Sequence, residues 1–216
     1  FRKTGTSSQS RLTSLILGRN TLIVALSLVV PSLVKLLVPL APVRRVADRL
    51  LAGLASGWVA VNNAWIAAVA PQARWDVQGL DGLDPRGWYL VTSNHQSWVD
   101  ILVLQRVFHG RIPFLKFFLK RELIWVPFLG LAFWALDYPF MKRYSKAHLA
   151  RHPEDQGKDL EITQRACEKF QGLPVTVVNY LEGTRFTPAK QAQQDSPYRH
   201  LLKPKSGGIA FVIAAL

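Results

Sequence analysis

Two long apolar stretches in the first third of the chain limit its fold more than any other feature. Residues 21–43 hold a single charge, Lys35, with Pro31 and Pro39 among them, and residues 50–73 hold none. Each has about the length that crosses a bilayer. The first exceeds the apolar core of a signal peptide, and Arg44 and Arg45 follow it where a cleavage site would stand. Two such runs within 216 residues argue against a buried soluble helical pair.

The charges around these stretches decide how they meet lipid. Arg2, Lys3, Arg11 and Arg19 precede the first, Arg44, Arg45 and Arg49 lie between the two, and Arg74 follows the second. Two full spans would carry the three central arginines to the far side, against the positive-inside tendency. They would also leave Pro31, Lys35, Asn62 and Asn63 deep in lipid, where unsatisfied polar groups are costly. A hairpin embedded in one leaflet, its turn returning to the head groups, relieves both problems and is favoured over two spans. Residues 1–73 are therefore expected to form a membrane-embedded two-helix hairpin, and residues 74–216 a second domain.

The net charge of +13 invites a nucleic-acid reading, but its distribution argues otherwise. Residues 1–73 carry eight Lys or Arg against Asp48 alone, so more than half of the excess lies in the most apolar third. Positive charge beside apolar stretches suits an anionic membrane surface. Aromatics alternating with basic residues on strands, the signature of RNA readers, are missing, so no nucleic-acid partner is expected. The single Cys167 rules out a disulfide framework and falls within an expected helix, where packing is its role.

Beyond residue 74 the pattern alternates between strands and helices. Residues 75–87 read as a strand followed by turns, and residues 88–92 as a short buried strand. Ser93 and Asn94 are suitable helix caps, and a helix is expected over 97–108. Strands follow at 112–119 and 136–141, with a helix after Pro127 between them. An amphipathic helix is expected over 154–170, a buried strand over 175–181, a long polar loop over 186–204 and a last apolar helix after Ser206. This order predicts an α/β domain with a mostly parallel central sheet flanked by helices.

No G-x-S-x-G elbow, phosphate-binding glycine loop, dinucleotide fingerprint or H-E-x-x-H occurs, so no serine or cysteine nucleophile, nucleotide loop or metal site is expected. Two clusters remain, each just past a buried strand, where ligands of parallel sheets gather. In Ser93-Asn94-His95-Gln96-Ser97-Trp98-Val99-Asp100, the carboxylate lies near enough to accept from one imidazole nitrogen, which leaves the other free as a base. Taken alone, the pair reads equally as a histidine capping a helix. In Tyr180-Leu181-Glu182-Gly183-Thr184-Arg185, the glycine lets backbone approach a ligand, and Arg185 offers a planar fork of donors suited to a phosphate monoester. Its alternative is a structural Glu–Arg pair on a turn.

Asn94-His95-x-x-x-x-Asp100 followed by Glu182-Gly183-Thr184-Arg185 resembles the 1-acylglycerol-3-phosphate (lysophosphatidic acid) O-acyltransferase family of glycerolipid acyltransferases. Lys116 with Lys120-Arg121-Glu122-Leu123 through Pro127 and Gly130, ending at Lys142-Arg143, and Lys203-Pro204-Lys205-Ser206-Gly207-Gly208 fit its two other blocks. The wording Phe140-Met141-Lys142-Arg143 is most similar to a bacterial inner-membrane branch. The resemblance implies the glycerolipid acyltransferase fold, an N-terminal membrane hairpin, a catalytic domain facing the cytoplasm, and further sheet after the last block.

The resemblance further implies transfer of a fatty acyl group from an acyl thioester, of coenzyme A or acyl carrier protein, to the sn-2 hydroxyl of lysophosphatidic acid, giving phosphatidic acid. His95 would be the base and Asp100 its partner, with no cofactor. The implied substrate-binding set is Lys116, Arg143, Glu182, Gly183, Thr184, Arg185 and Pro204. In it Arg185, with Lys116 and Arg143, holds the acceptor phosphate, and Glu182 orients that arginine or the glycerol. Backbone N–H groups at the helix entrance or at Gly183 are the expected oxyanion donors. Another lysophospholipid as acceptor, or an inactive lipid-binding module, are the alternatives.

Overall fold

Where two helices are expected at the N-terminus, the computed structural model has three: α1 (Ser7–Ser27), α2 (Val29–Leu37) and α3 (Ala41–Val69). It describes residues 7–141, 146–155, 161, 174–205, 209–210 and 213. Prolines set the breaks. Pro31 lacks an N–H and its ring crowds the carbonyl four residues back, so α1 ends at Ser27. Pro39 ends α2, and Pro42 takes the first turn of α3, where a missing N–H costs nothing. Arg44, Arg45 and Arg49 thus lie on α3 and not in a connecting turn, because that turn is only Val38–Leu40.

α3 buries Ala47, Leu51, Ala55, Val59 and Asn62, one residue per turn along a single stripe. Against it pack Leu28 and Val24 of the N-terminal helices, and also Ala132 and Ala135 of α5 (Leu129–Ala135), which joins this helical unit. The unit therefore comprises the chain to Leu80 plus Pro127–Leu136, reaching past the expected boundary at 73. Lys35 and Asn62, which looked costly in lipid, are buried and paired. Asn20 Nδ2 donates to Asn62 Oδ1 at 2.7 Å, and the Trp58 indole N–H to Thr21 Oγ1 at 3.2 Å. Lys35 Nζ lies 2.9 Å from Asp48 Oδ1 and donates to Ala135 O at 2.8 Å. Leu15, Val30 and Leu37 are instead about 70% exposed (69%, 68% and 72%). The segments Leu15–Leu37 and Ala41–Val69 are long and apolar enough to cross a membrane.

The second unit, Asp81–Val126 with the chain from Asp137 onward, holds the sheet. In chain order it has β1 (Trp88–Ser93), α4 (Val99–Phe108), β2 (Leu115–Phe117), β3 (Leu119–Lys120), a 3-10 turn at Arg121–Trp125, β4 (Phe140–Met141), α6 (Lys146–Arg151), β5 (Val175–Tyr180) and α7 (Pro188–Gln194). β5 is central, with β1 and β2 parallel on either side, and β3 pairs with β4 in a separate parallel ladder. Val175 to Asn179 are all buried, as a strand covered on both faces requires.

Several expected elements differ. Residues 75–87 form no strand: Trp75 and Val77 are each 40% exposed, and an alternating pattern without a partner strand cannot pair its backbone. The strand expected over 112–119 divides at Phe118 between two ladders, and that over 136–141 shrinks to its last two residues. The polar loop over 186–204 contains α7, capped by Thr187, whose Oγ1 accepts from Lys190 N–H at 3.2 Å, with Pro188 at the first helical position. Most of the helix expected over 154–170, with Cys167, and most of that after Ser206 lie outside the described residues.

Candidate active site

Both chemistry-bearing loops leave the carboxyl ends of adjacent strands. β1 and β5 are parallel with Ser93 opposite Tyr180, so the chain quits the sheet at one edge on both strands. Leu181 N–H adds a last rung to Ser93 O at 3.2 Å.

His95 Nδ1 lies 2.9 Å from Asp100 Oδ2. A carboxylate only accepts, so Nδ1 carries the proton and Nε2 presents its lone pair. The same Oδ2 accepts from Gln96 N–H at 2.6 Å and Ser97 N–H at 2.8 Å. Those donors precede the first turn of α4, where backbone N–H groups lack helical partners and negative charge is favoured. Asp100 thus caps the helix from inside while it holds the ring. Ser93 and Asn94, the expected caps, do not serve. Trp98 stands at the cap position with no side-chain bond, because a carboxylate within the turn already reaches more donors than an upstream hydroxyl can. The His95 and Asp100 side chains are 17% and 22% exposed, and Nε2 bonds to none of the described residues.

Tyr180 stacks on the imidazole with ring centroids 4.0 Å apart and planes 15° from parallel. Phe117 lies beyond it at 6.0 Å and 20°. Burial, and to a lesser degree the Asp100 charge, raise the Tyr180 phenol above its ordinary range and keep it protonated.

Glu182 is completely buried, its Oε1 accepting His95 N–H at 2.7 Å and its Oε2 accepting Leu202 N–H at 2.9 Å. Phe186 N–H donates to His95 O at 2.7 Å, and Lys205 N–H to Leu181 O at 2.8 Å. One carboxylate therefore ties together the His95 loop, its own loop and the segment around Pro204, an exposed residue between those two anchors. Both Glu182 oxygens face backbone, so it braces loops where orientation of an arginine or a glycerol was expected. Its signal in the sequence was that of a surface turn, and only the pairing of β1 with β5 turns it inward.

Gly183 has φ 65°, and its N–H closes a turn onto Tyr180 O at 2.9 Å. A side chain there would be strained. This turn brings Arg185 out to the surface, where its guanidinium has no partner among the described residues. Lys190, which the sequence reading missed, donates from Nζ to Thr184 Oγ1 at 2.8 Å and to Arg185 O at 2.9 Å. Thr187-Pro188, a helix cap followed by a first-turn proline, was the available clue that Lys190 turns back onto this loop. Lys116 stands opposite Val177, one residue from Phe117, and so projects from the sheet face opposite to Phe117 and Tyr180. Arg143 lies outside the described residues.

The expected oxyanion donors are already engaged. The N–H groups of His95, Gln96 and Ser97 bond to carboxylates, and that of Gly183 bonds to Tyr180 O. The cause is Asp100 and Glu182, which draw in the helix-entrance amides.

The His95–Asp100 pair on one loop and the exposed Arg185 on the adjoining loop lie within a domain whose family is shown by its sequence. The acyltransferase family model matches residues 74–215, and the chain is a member of that family. Human 1-acyl-sn-glycerol-3-phosphate acyltransferase alpha is 39% identical over 113 residues, covering 52% of this chain and 35% of the human protein. 1-acyl-sn-glycerol-3-phosphate acyltransferase 3 of Arabidopsis thaliana is 30% identical over 150 residues, covering 66% of this chain and 36% of its own. The chain thus spans little more than a third of these relatives, 35% and 36%. The crystal structure of the 1-acyl-sn-glycerophosphate (LPA) acyltransferase PlsC from Thermotoga maritima superposes with TM-score 0.56 over 96% of this chain and 71% of that one, at 17% identity, and shares the fold.

Proposed function

We propose that this protein transfers a fatty acyl group from an acyl thioester, of coenzyme A or acyl carrier protein, to the sn-2 hydroxyl of lysophosphatidic acid. The observation that carries the reading is the His95 Nδ1 to Asp100 bond, which leaves Nε2 with its lone pair outward. Nε2 takes the proton from the acceptor hydroxyl as its oxygen attacks the thioester carbonyl. The tetrahedral intermediate collapses, the C–S bond breaks, and the leaving sulfur takes the proton back from the imidazolium. Asp100 stabilises that imidazolium while it exists. No acyl-enzyme and no bound cofactor are required.

Arg185 supplies the cation for the acceptor phosphate, since its chain neighbour Phe186 is bonded directly to the base's own backbone. The names of the relatives support lysophosphatidate as the acceptor. The apolar helices support a membrane location, proposed as the cytoplasmic face of a bacterial inner membrane. Tethering the domain to the surface that holds its insoluble substrates supplies proximity.

Mass spectrometry of the products from mixed lysophospholipids and mixed acyl thioesters tests the reading. Phosphatidic acid acylated at sn-2 is the expected main product; preferential consumption of a zwitterionic lysophospholipid would overturn the acceptor assignment. Arg185→Ala should raise KM for lysophosphatidate roughly tenfold with little change in kcat, the loss of one charge-assisted contact. Lys190→Met, measured in the same assay, should raise that KM roughly threefold, because it frees the Thr184–Arg185 backbone without removing the guanidinium.

A further inference from the structure

Among the described residues the Tyr180 ring is the only aromatic that stacks on His95, and its buried hydroxyl has no hydrogen-bond partner. A buried phenol without a partner is a cost to the fold, and none of the described residues offsets it here. The face of the ring has an evident use. Lying 4.0 Å from the imidazole centroid and 15° from parallel, it covers one side of the base, while Asp100 fixes the in-plane direction through Nδ1. Those two restraints leave the ring a single orientation, with Nε2 facing away from Asp100. Register brings the two residues close: Tyr180 is the last residue of β5, level with Ser93, and His95 follows Ser93 by two positions. Phe117, on the neighbouring strand, backs the tyrosine in turn at 6.0 Å.

We propose that Tyr180 is a positioning residue for the base, holding the His95 ring by stacking and stabilising the imidazolium that forms as the acceptor loses its proton. The attraction of a cation to an aromatic face is felt only once the ring is charged, so it acts on the transition state more than on the bound substrate. This rests on His95 being the base, and the test separates the two claims.

Three proteins are compared in detergent micelles: wild type, Tyr180→Phe and Tyr180→Leu. Tyr180→Leu should lower kcat roughly 3- to 30-fold, the range of a cation–π contact, with KM for lysophosphatidate unchanged. Tyr180→Phe should keep kcat within about twofold, since the ring is retained. Equal losses in both variants would move the role to the hydroxyl and overturn the proposal, as would a Tyr180→Leu enzyme of full kcat. A second readout needs no activity. In protein labelled at histidine, the signal missing from His95→Ala identifies His95. It should be displaced upfield by the ring current in wild type and Tyr180→Phe, and shift downfield in Tyr180→Leu. An unmoved signal overturns the stack. The shift with no acyl transfer by wild type refutes the enzymatic reading alone.

Discussion

His95→Ala is expected to lower turnover by roughly 10³-fold or more while the protein still folds. The imidazole is the one group in the loop with an unengaged basic nitrogen among the described residues, and a methyl cannot take a proton from an alcohol. The backbone contacts that hold the loop do not use the ring. His95 N–H bonds to Glu182, His95 O accepts from Phe186 N–H, and both survive in alanine. Asp100 loses one donor but keeps Gln96 and Ser97 N–H, so the start of α4 stays capped. Thiol release from an acyl thioester, measured on purified variant beside a thermal unfolding curve, reads both quantities. A variant that melts like wild type and retains wild-type turnover would show that the base lies elsewhere.

Much of this site was legible in the sequence because it rests on local geometry. Asp100 follows His95 by five positions, and a helix entrance brings such a pair together without help from the rest of the fold. The strands at 88–93 and 175–180 were legible for a similar reason, since β-branched and aromatic residues are enriched in strands. What was not legible depends on residues far apart in the chain. Whether Glu182 faces solvent or the interior is decided by a partner 87 positions away, His95, and by Leu202. Lys35 read as an unpaired charge in an apolar run until the helices packed and brought Asp48 and Ala135 to it. Residues 75–87 show the opposite failure: a pattern that suits a strand, with no strand paired to it among the described residues.

The helical unit and the sheet unit solve one physical problem in two ways. Polar groups withdrawn from water must find partners. In the helices, side chains meet side chains or a stray carbonyl, as with Asn20 and Asn62. At the strand ends, carboxylates meet backbone N–H groups: Asp100 gathers two and Glu182 gathers two more. The second arrangement constrains more, because it fixes the main chain of His95, Gln96 and Ser97 directly.

Glu182 gives the largest expected effect on stability and separates bracing from substrate contact. Glu182→Ala strands two buried N–H groups, those of His95 and Leu202, and leaves a void besides, for a cost of about 3–5 kcal/mol. Against a typical total of roughly 5–15 kcal/mol, that should lower the yield of folded protein severely. Glu182→Gln is the more informative change. The amide matches the carboxylate in volume and can accept one N–H through its oxygen, but its NH₂ then confronts the second N–H, donor against donor. The expected result is a loss of about 2–3 kcal/mol, read as a melting temperature lower by roughly 5–10 °C. With one tether gone the His95 loop loosens, so kcat should fall at least about tenfold while KM for lysophosphatidate stays near wild type. Arg185→Ala is expected to do the reverse, raising KM at an unchanged melting temperature. If Glu182→Gln instead melted like wild type and raised KM for the acceptor, its carboxylate would be gripping substrate, and the three-loop brace would be the wrong account of why a buried acid sits at the end of β5.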